Sequence, residues 1–67
     1  MKKEFIVSDM TCGHCVKTIT DAIHEILPQA QVQADTTTHW LTIEADQLDA
    51  QAVLAKIQEA GYSPQLA

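Results

Sequence analysis

The spacing of apolar residues limits what this 67-residue chain can fold into more than any other feature of its sequence. Small apolar and polar residues alternate over residues 30–35. Apolar residues also recur at every second position within residues 3–8 (Phe5, Val7) and 40–45 (Leu41, Ile43, Ala45), and residues 62–66 form a shorter stretch. Alternation at a period of two is typical of strands that are buried on one side only. The sequence therefore predicts four strands, each between four and eight residues long.

Two stretches between these strands carry apolar residues at spacings of three and four, which is the period of an amphipathic helix. The first stripe comprises Val16, Ile19, Ile23, Ile26 and Leu27, and the second comprises Ala52, Val53, Ile57 and Ala60. Pro28 is predicted to end the first helix. Asp49 is predicted to cap the start of the second helix, and Gly61 is predicted to follow its last turn.

The predicted order of elements is strand, helix, strand, strand, helix, strand. This order is typical of an α+β, ferredoxin-like βαββαβ sandwich, a four-stranded antiparallel sheet with two helices on one face. Phe5 and Val7 are expected to point toward the helices and Trp40 toward solvent. Pro64 confines the last strand to an edge of the sheet. Residues 36–38 are predicted to form the turn between the middle strands, although they include neither glycine nor asparagine.

The two cysteines lie too close together to join distant segments of the chain. They stand at C-x-x-C spacing, so a disulfide between them would close only a very short loop. The fold must therefore depend on its apolar residues, which make up 46% of the sequence, and residues 1–67 are expected to form one domain. This leaves both cysteines available for chemistry.

Charge and hydropathy exclude several classes of function. Nine acidic residues stand against four lysines, which gives a net charge of −5 and argues against nucleic-acid binding. No apolar run is long enough to insert into a membrane, and none is typical of an export signal. We therefore expect a cytoplasmic protein, in which a close thiol pair is more often catalytic or metal-binding than structural.

The cysteines are placed where a thiolate is favoured. Cys12 falls in the loop before the first helix and Cys15 in its first turn, where free backbone N–H groups stabilise a negative sulfur. Two thiolates are too few for a closed structural zinc site, and they suit Cu(I), which is selected by soft sulfur ligands. A thiol–disulfide oxidoreductase uses the same spacing and stays an alternative.

The segment Met10-Thr11-Cys12-Gly13-His14-Cys15, followed by a helix and this order of elements, resembles the heavy-metal-associated domain family. The Gly61-Tyr62 pair after the second helix is also similar to the family. The stand-alone length resembles its small bacterial copper chaperones. This resemblance implies a carrier rather than an enzyme, with Cu(I) bound by Cys12 and Cys15. It further implies delivery by ligand exchange to a metal-binding domain of a copper-transporting P-type ATPase, and in some relatives to a copper-responsive repressor.

The resemblance also implies roles for residues around the cysteines. Met10 matches a methionine that packs beneath the metal loop, and Tyr62 matches an aromatic residue that tunes or shields the site. Thr11 stands where zinc-handling relatives often have aspartate, which favours copper. A zinc-binding relative stays an alternative, as does a mercury-binding one. The protein is expected to be a monomer without metal, and a copper-bridged dimer stays open.

Several other residues either carry no clear functional signal or depart from the family's usual sequence. His14 is expected to be solvated, and whether its imidazole joins the bound metal stays open. His24 is expected at the surface and His39 at a strand turn, and neither is assigned to the site. Asp9 replaces the family's usual glycine, and Gln29-Ala30 replaces its usual Gly-Val. The turns at these two places are therefore expected to be built differently.

Overall fold

The chain forms a four-stranded antiparallel sheet covered on one face by two helices in the computed structural model, which describes residues 1–67. The elements are β1 (Lys2–Val7), α1 (Gly13–Ile26), β2 (Gln31–Asp35), β3 (Trp40–Glu44), α2 (Ala50–Glu59) and β4 (Pro64–Leu66). This order confirms the predicted ferredoxin-like sandwich. Neither helix is long and apolar enough to cross a membrane.

β1 lies in the interior of the sheet, whose strand order is β2-β3-β1-β4. It pairs antiparallel with β3, where Phe5 lies opposite Leu41, and with β4, where Val7 lies opposite Pro64. β4 is an edge strand, as predicted from Pro64, which has no N–H group to donate to a further strand. In this register the carboxyl end of β1, the β2–β3 turn and the segment before β4 meet at one end of the sheet.

Apolar side chains from every layer form one core between the sheet and the helices. Its buried members are Phe5, Val7, Met10, Ile19, Ile23, Ala30, Leu41, Ile43, Leu48, Val53 and Ile57. The predicted inward positions of Phe5 and Val7 are confirmed. Trp40 is 39% exposed on the opposite, solvated face of the sheet, also as predicted.

Two residues of the predicted helix stripes are exposed. Ile26 is 39% exposed, because it ends α1 at the rim of the molecule, where it borders an open groove together with Met1 and Pro28. Ala52 is exposed on α2. It stands five residues before the buried Ile57, which places it roughly 140° away around a helix of 3.6 residues per turn. The buried stripe of α2 is therefore narrower than predicted.

The turn after α1 is closed by a histidine side chain. The helix ends at Ile26, two residues before Pro28, and the Nε2–H of His24 donates to the carbonyl of Ala30 across 2.9 Å. The expectation that His24 is merely a surface residue is therefore wrong, since its ring is half-buried against this turn. Gln29-Ala30 are not turn-forming residue types, so the hydrogen bond from the imidazole orders this turn instead.

The β2–β3 turn forms without glycine because two other residues take over its role. The Asp35 carboxylate accepts hydrogen bonds from the backbone N–H of Thr37 at 2.8 Å and of Thr38 at 3.3 Å. His39 then adopts a left-handed backbone with φ of 65°, a conformation that histidine enters more readily than most residues. The predicted turn is confirmed, and its chemistry lies in the residues that flank it.

Asp49 caps α2 as predicted, and its removal should destabilise the protein. Its Oδ1 accepts from the N–H of Gln51 at 3.0 Å and of Ala52 at 3.4 Å. Asp49→Ala leaves these donors without a side-chain partner, and we expect the free energy of unfolding in urea to fall by about 1 kcal/mol. Asp46→Ala, which removes an equal charge from an exposed residue nearby, should change it far less. Equal effects of the two substitutions would contradict the capping role.

Candidate metal centre

The loop between β1 and α1 is anchored in the core by a methionine. The Met10 side chain is completely buried, and its backbone N–H donates to the carbonyl of Val7 across 3.0 Å. The chain thus turns back on itself directly after β1 and presents the next two residues at the surface. We call residues 8–12 the metal loop.

The two cysteines stand side by side where this loop becomes α1. Cys12 is the N-cap residue of the helix, Cys15 lies in its first turn, and their sulfur atoms are 3.1 Å apart as free thiols. Cys12 is exposed, whereas Cys15 is half-buried and packs against the edge of the core. No side chain caps this helix, so the N–H groups of its first turn remain directed at whatever negative charge the sulfurs carry.

The pKa of Cys15 is lowered from 9.0 to about 7. The largest cause is a hydrogen bond from the Tyr62 hydroxyl to the sulfur, followed by hydrogen bonds from the Cys12 thiol and from the backbone of Thr11. The same bond to Cys15 raises the pKa of Tyr62, because the phenol keeps the proton that it donates. The thiolate of Cys15 is therefore favoured at neutral pH more than that of an ordinary cysteine.

Tyr62 reaches Cys15 because of the way α2 ends. The N–H of Gly61 donates to the carbonyl of Gln58 at 3.0 Å, and the N–H of Tyr62 donates to the carbonyl of Ile57 at 3.2 Å. These two bonds form a Schellman motif, which needs a left-handed residue, and Gly61 supplies it with φ of 98°. The predicted glycine at the end of the helix is confirmed, and it directs the following tyrosine toward the cysteines.

Asp9 joins the metal loop to this same segment. Its Oδ1 accepts a hydrogen bond from the backbone N–H of Ser63 at 3.2 Å, although the two residues are 54 positions apart. Ser63 directly follows Tyr62, so the bond holds the tyrosine segment against the loop. It also explains why β4 begins at Pro64 rather than at residue 62, since this backbone turns toward Asp9 before it joins the sheet.

No third side chain of a metal-binding type lies beside the two sulfurs. The structure contains no cluster of three or more histidine, cysteine or acidic residues able to hold a metal ion. His14 is exposed on the first turn of α1 and belongs to no such cluster. Two bonds of about 2.3 Å would enclose an angle of only about 85° between sulfurs that are 3.1 Å apart. The sulfurs must therefore move apart to admit a metal ion between them.

His39 lies at the metal loop, contrary to the expectation that it is unrelated to the site. Its Nδ1–H donates to the carbonyl of Met10 across 3.2 Å, and its ring is half-buried. The periodicity of apolar residues and the spacing of motifs do not predict this contact, because the two partners are 29 residues apart. The signal that could have revealed it is the predicted topology, which brings the β2–β3 turn to the carboxyl end of β1.

Known proteins resemble this chain over nearly its whole length. The family model of the heavy-metal-associated domain matches residues 4–63. The copper chaperone CopZ of Enterococcus hirae is 31% identical, over 98% of this chain and 99% of its own length. Copper-transporting ATPase 2 of Rhizobium meliloti is 34% identical over 94% of this chain, a stretch that amounts to 8% of the ATPase. The crystal structure of a gold binding protein superposes with a TM-score of 0.90 at 32% identity, covering 97% of this chain and 98% of the other.

Removing the Tyr62 hydroxyl should raise the pKa of Cys15. Tyr62→Phe keeps the ring and removes the donor that most stabilises the thiolate, so the pKa should move from about 7 toward 9.0. The thiolate fraction at neutral pH, and with it the rate of alkylation by iodoacetamide, should fall several-fold. The rate is measured against pH in the Cys12→Ser background, so that a single thiol reports.

Thr20→Val is the matched control for this experiment. It removes a hydroxyl from α1 that donates to the carbonyl of Val16 at 2.7 Å. The pH profile of alkylation should be unchanged in this variant. The pKa of Cys15 in Cys12→Ser is the reference, because that background already lacks the hydrogen bond from the Cys12 thiol. The same pKa in Cys12→Ser/Tyr62→Phe would contradict the role given to the tyrosine.

Proposed function

The chain belongs to the heavy-metal-associated domain family, and on that premise we propose that it carries Cu(I) from protein to protein. Cu(I) is held between the sulfurs of Cys12 and Cys15. One observation carries the proposal: two free thiols lie 3.1 Å apart at an exposed helix N-terminus, and the pKa of one of them, Cys15, is lowered to about 7. Such a pair binds a soft ion and remains open to an acceptor.

The choice of Cu(I) rests on the donor set. Thiolates select soft ions, and Cu(I) among them is satisfied by few ligands, whereas a structural zinc site takes four. No acidic or histidine side chain completes a larger set around the sulfurs. Thr11, which precedes Cys12, has no carboxylate to offer to a harder ion. Similarity to a copper chaperone and to a gold binding protein supports a soft, monovalent cargo.

Transfer proceeds by thiolate exchange. A thiolate of the acceptor adds to the bound Cu(I), and a copper–sulfur bond to this chain then breaks, so that thiolate replaces thiolate and copper stays Cu(I) throughout. Cys12 is the exposed sulfur and Cys15 is half-buried beside Tyr62, so the bond to Cys12 breaks first. The second exchange releases Cys15, whose thiolate keeps its hydrogen bond from the Tyr62 hydroxyl.

The acceptor is a metal-binding domain of a copper-transporting P-type ATPase. The ATPase of Rhizobium meliloti supports this, because one of its segments is similar to nearly the whole of this chain and offers a related surface. A copper-responsive repressor is a second acceptor of the same chemistry. The protein works in the cytoplasm, where thiols stay reduced, as a monomer that a shared Cu(I) ion can bridge into a dimer.

Thiol–disulfide exchange is the rival function, because it is favoured by the same short sulfur distance and lowered pKa. Turnover of a disulfide substrate such as insulin with a thiol reductant separates the two functions. Clear turnover would support the oxidoreductase. Mercury- and zinc-binding relatives are separated by titrating the apo-protein with each ion against competing chelators.

Each cysteine should be needed for copper. We expect the wild-type chain to bind about one Cu(I) under anaerobic conditions, measured by competition with a Cu(I) chelator. Cys12→Ser or Cys15→Ser should weaken binding by more than about 100-fold, since loss of a ligand exceeds the loss caused by a supporting residue. Thr18→Ser, which alters a nearby side chain on α1 without touching a sulfur, is the control. Retained affinity in the double Cys→Ser variant would refute the proposal.

His14 should not be a copper ligand. X-ray absorption of the copper-loaded protein counts sulfur and nitrogen neighbours directly, and we expect sulfur only. His14→Ala should leave both the spectrum and the affinity unchanged, because its exposed imidazole belongs to no ligand cluster. A nitrogen neighbour that is present in the wild type and absent from His14→Ala would assign the imidazole to the metal instead.

A further inference from the structure

We propose that His39 is a positioning residue that fixes the metal loop, and through it the sulfur of Cys12. The proposal rests on the proposed function in so far as the loop holds Cu(I). His39 lies outside the metal loop, on the turn between β2 and β3, and contributes no ligand. Its ring is nevertheless half-buried against the loop, with Nδ1 at 3.2 Å from the carbonyl oxygen of Met10.

His39 forms hydrogen bonds with Val7, which directly precedes the metal loop, and with Met10 inside the loop. Its backbone carbonyl accepts from the N–H of Val7 at 2.9 Å, and its ring N–H donates to the carbonyl of Met10. Met10 in turn donates its own N–H to the carbonyl of Val7 at 3.0 Å. Three hydrogen bonds thus connect Val7, Met10 and His39 in a closed circuit. The two residues between Val7 and Met10 are therefore held at both of their ends.

The backbone of His39 adopts a conformation that is uncommon outside glycine. Its φ of 65° is the only positive value among the non-glycine residues of the chain. Such conformations persist where the surrounding structure determines them, and they concentrate at functional sites. Here the left-handed turn brings the ring over the loop, where the backbone of a more ordinary turn would direct it elsewhere.

The clamp on Met10 limits what Cys12 can do. The Met10 side chain is completely buried and anchors this residue in the core, and the hydrogen bond from His39 holds the carbonyl that leads into Thr11. Only two peptide units, about 7 Å of chain, separate Met10 from Cys12. Cys12 is the exposed sulfur, and a loop fixed this close to it limits how far that sulfur can move away from Cys15.

The test compares two histidines that make the same kind of bond at opposite ends of the molecule. His39→Gly removes the ring and leaves a residue that adopts positive φ freely, so the turn can form. His24→Ala removes the imidazole that donates to Ala30, far from the cysteines. Urea unfolding reports that each variant is folded. Should His39→Gly unfold, His39→Asp takes its place, because aspartate also tolerates positive φ and its carboxylate has no N–H to donate to the carbonyl of Met10.

Two measurements are made on each variant. Amide hydrogen exchange of the apo-protein is followed at Met10, whose N–H donates to the carbonyl of Val7 inside the hydrogen-bonded circuit. The rate of Cu(I) release to an excess of chelator is followed on the loaded protein. In His39→Gly both rates should rise about 2- to 12-fold, the factor that corresponds to one net hydrogen bond. In His24→Ala both rates should match the wild type.

The possible results separate the two proposals. Unchanged exchange at Met10 in His39→Gly, or an equal rise in His24→Ala, would overturn the role of His39 in a chain that binds copper normally. A wild-type chain that binds no Cu(I) would refute the proposed function alone, since amide exchange in the apo-protein reports on the loop without metal.

Discussion

The interior position of β1 is the constraint on which the rest of the site depends. Because β1 pairs with both β3 and β4, its carboxyl end is flanked by the turn that leads into β3 and by the segment that leads into β4. The metal loop leaves from this end. It is therefore enclosed by two other connections, one carrying His39 and the other carrying Tyr62, before any of their side chains interact. The topology assembles a site from three segments that are distant in sequence.

Side chains that bind backbone groups fix these connections in place of turn-forming residues. Asp35 orders the β2–β3 turn, His24 closes the turn after α1, and Asp9 ties the metal loop to Ser63. A domain of this size has few buried residues to spare, so a turn cannot rely on burial to become rigid. Individual hydrogen bonds to the backbone do the same work locally, and each one also satisfies a polar group that would otherwise be left to water.

The fold and the cysteine pair were predictable because their signals are local. Strand and helix periods are visible within a few residues, and the caps at Asp49 and Gly61 were recognised by residue type alone. The contacts of Asp9 and His39 were not predictable in this way. Their partners lie 54 and 29 residues away, and only the register of the sheet decides which residues meet. The predicted burial of Ile26 was wrong for a related reason, because a helix period shows which way a residue faces but not where the core ends.

The environment makes the two sulfurs unequal, and this inequality suits a site that must both hold and release an ion. Cys15 is half-buried at the core edge, with a hydrogen bond from Tyr62 that favours its thiolate. Cys12 is exposed at the end of the loop. Two buried sulfurs would hinder the approach of an acceptor, whereas two exposed sulfurs on a mobile loop would give up the ion to any competing thiol. Cys15 lies against the core, and Cys12 ends a loop that His39 contacts on the side facing the sheet. Cys12 is therefore the sulfur that another molecule can approach more easily. In the transfer that we propose, an acceptor arrives from the side of Cys12, and the order in which the bonds break is set by the fold rather than by the metal.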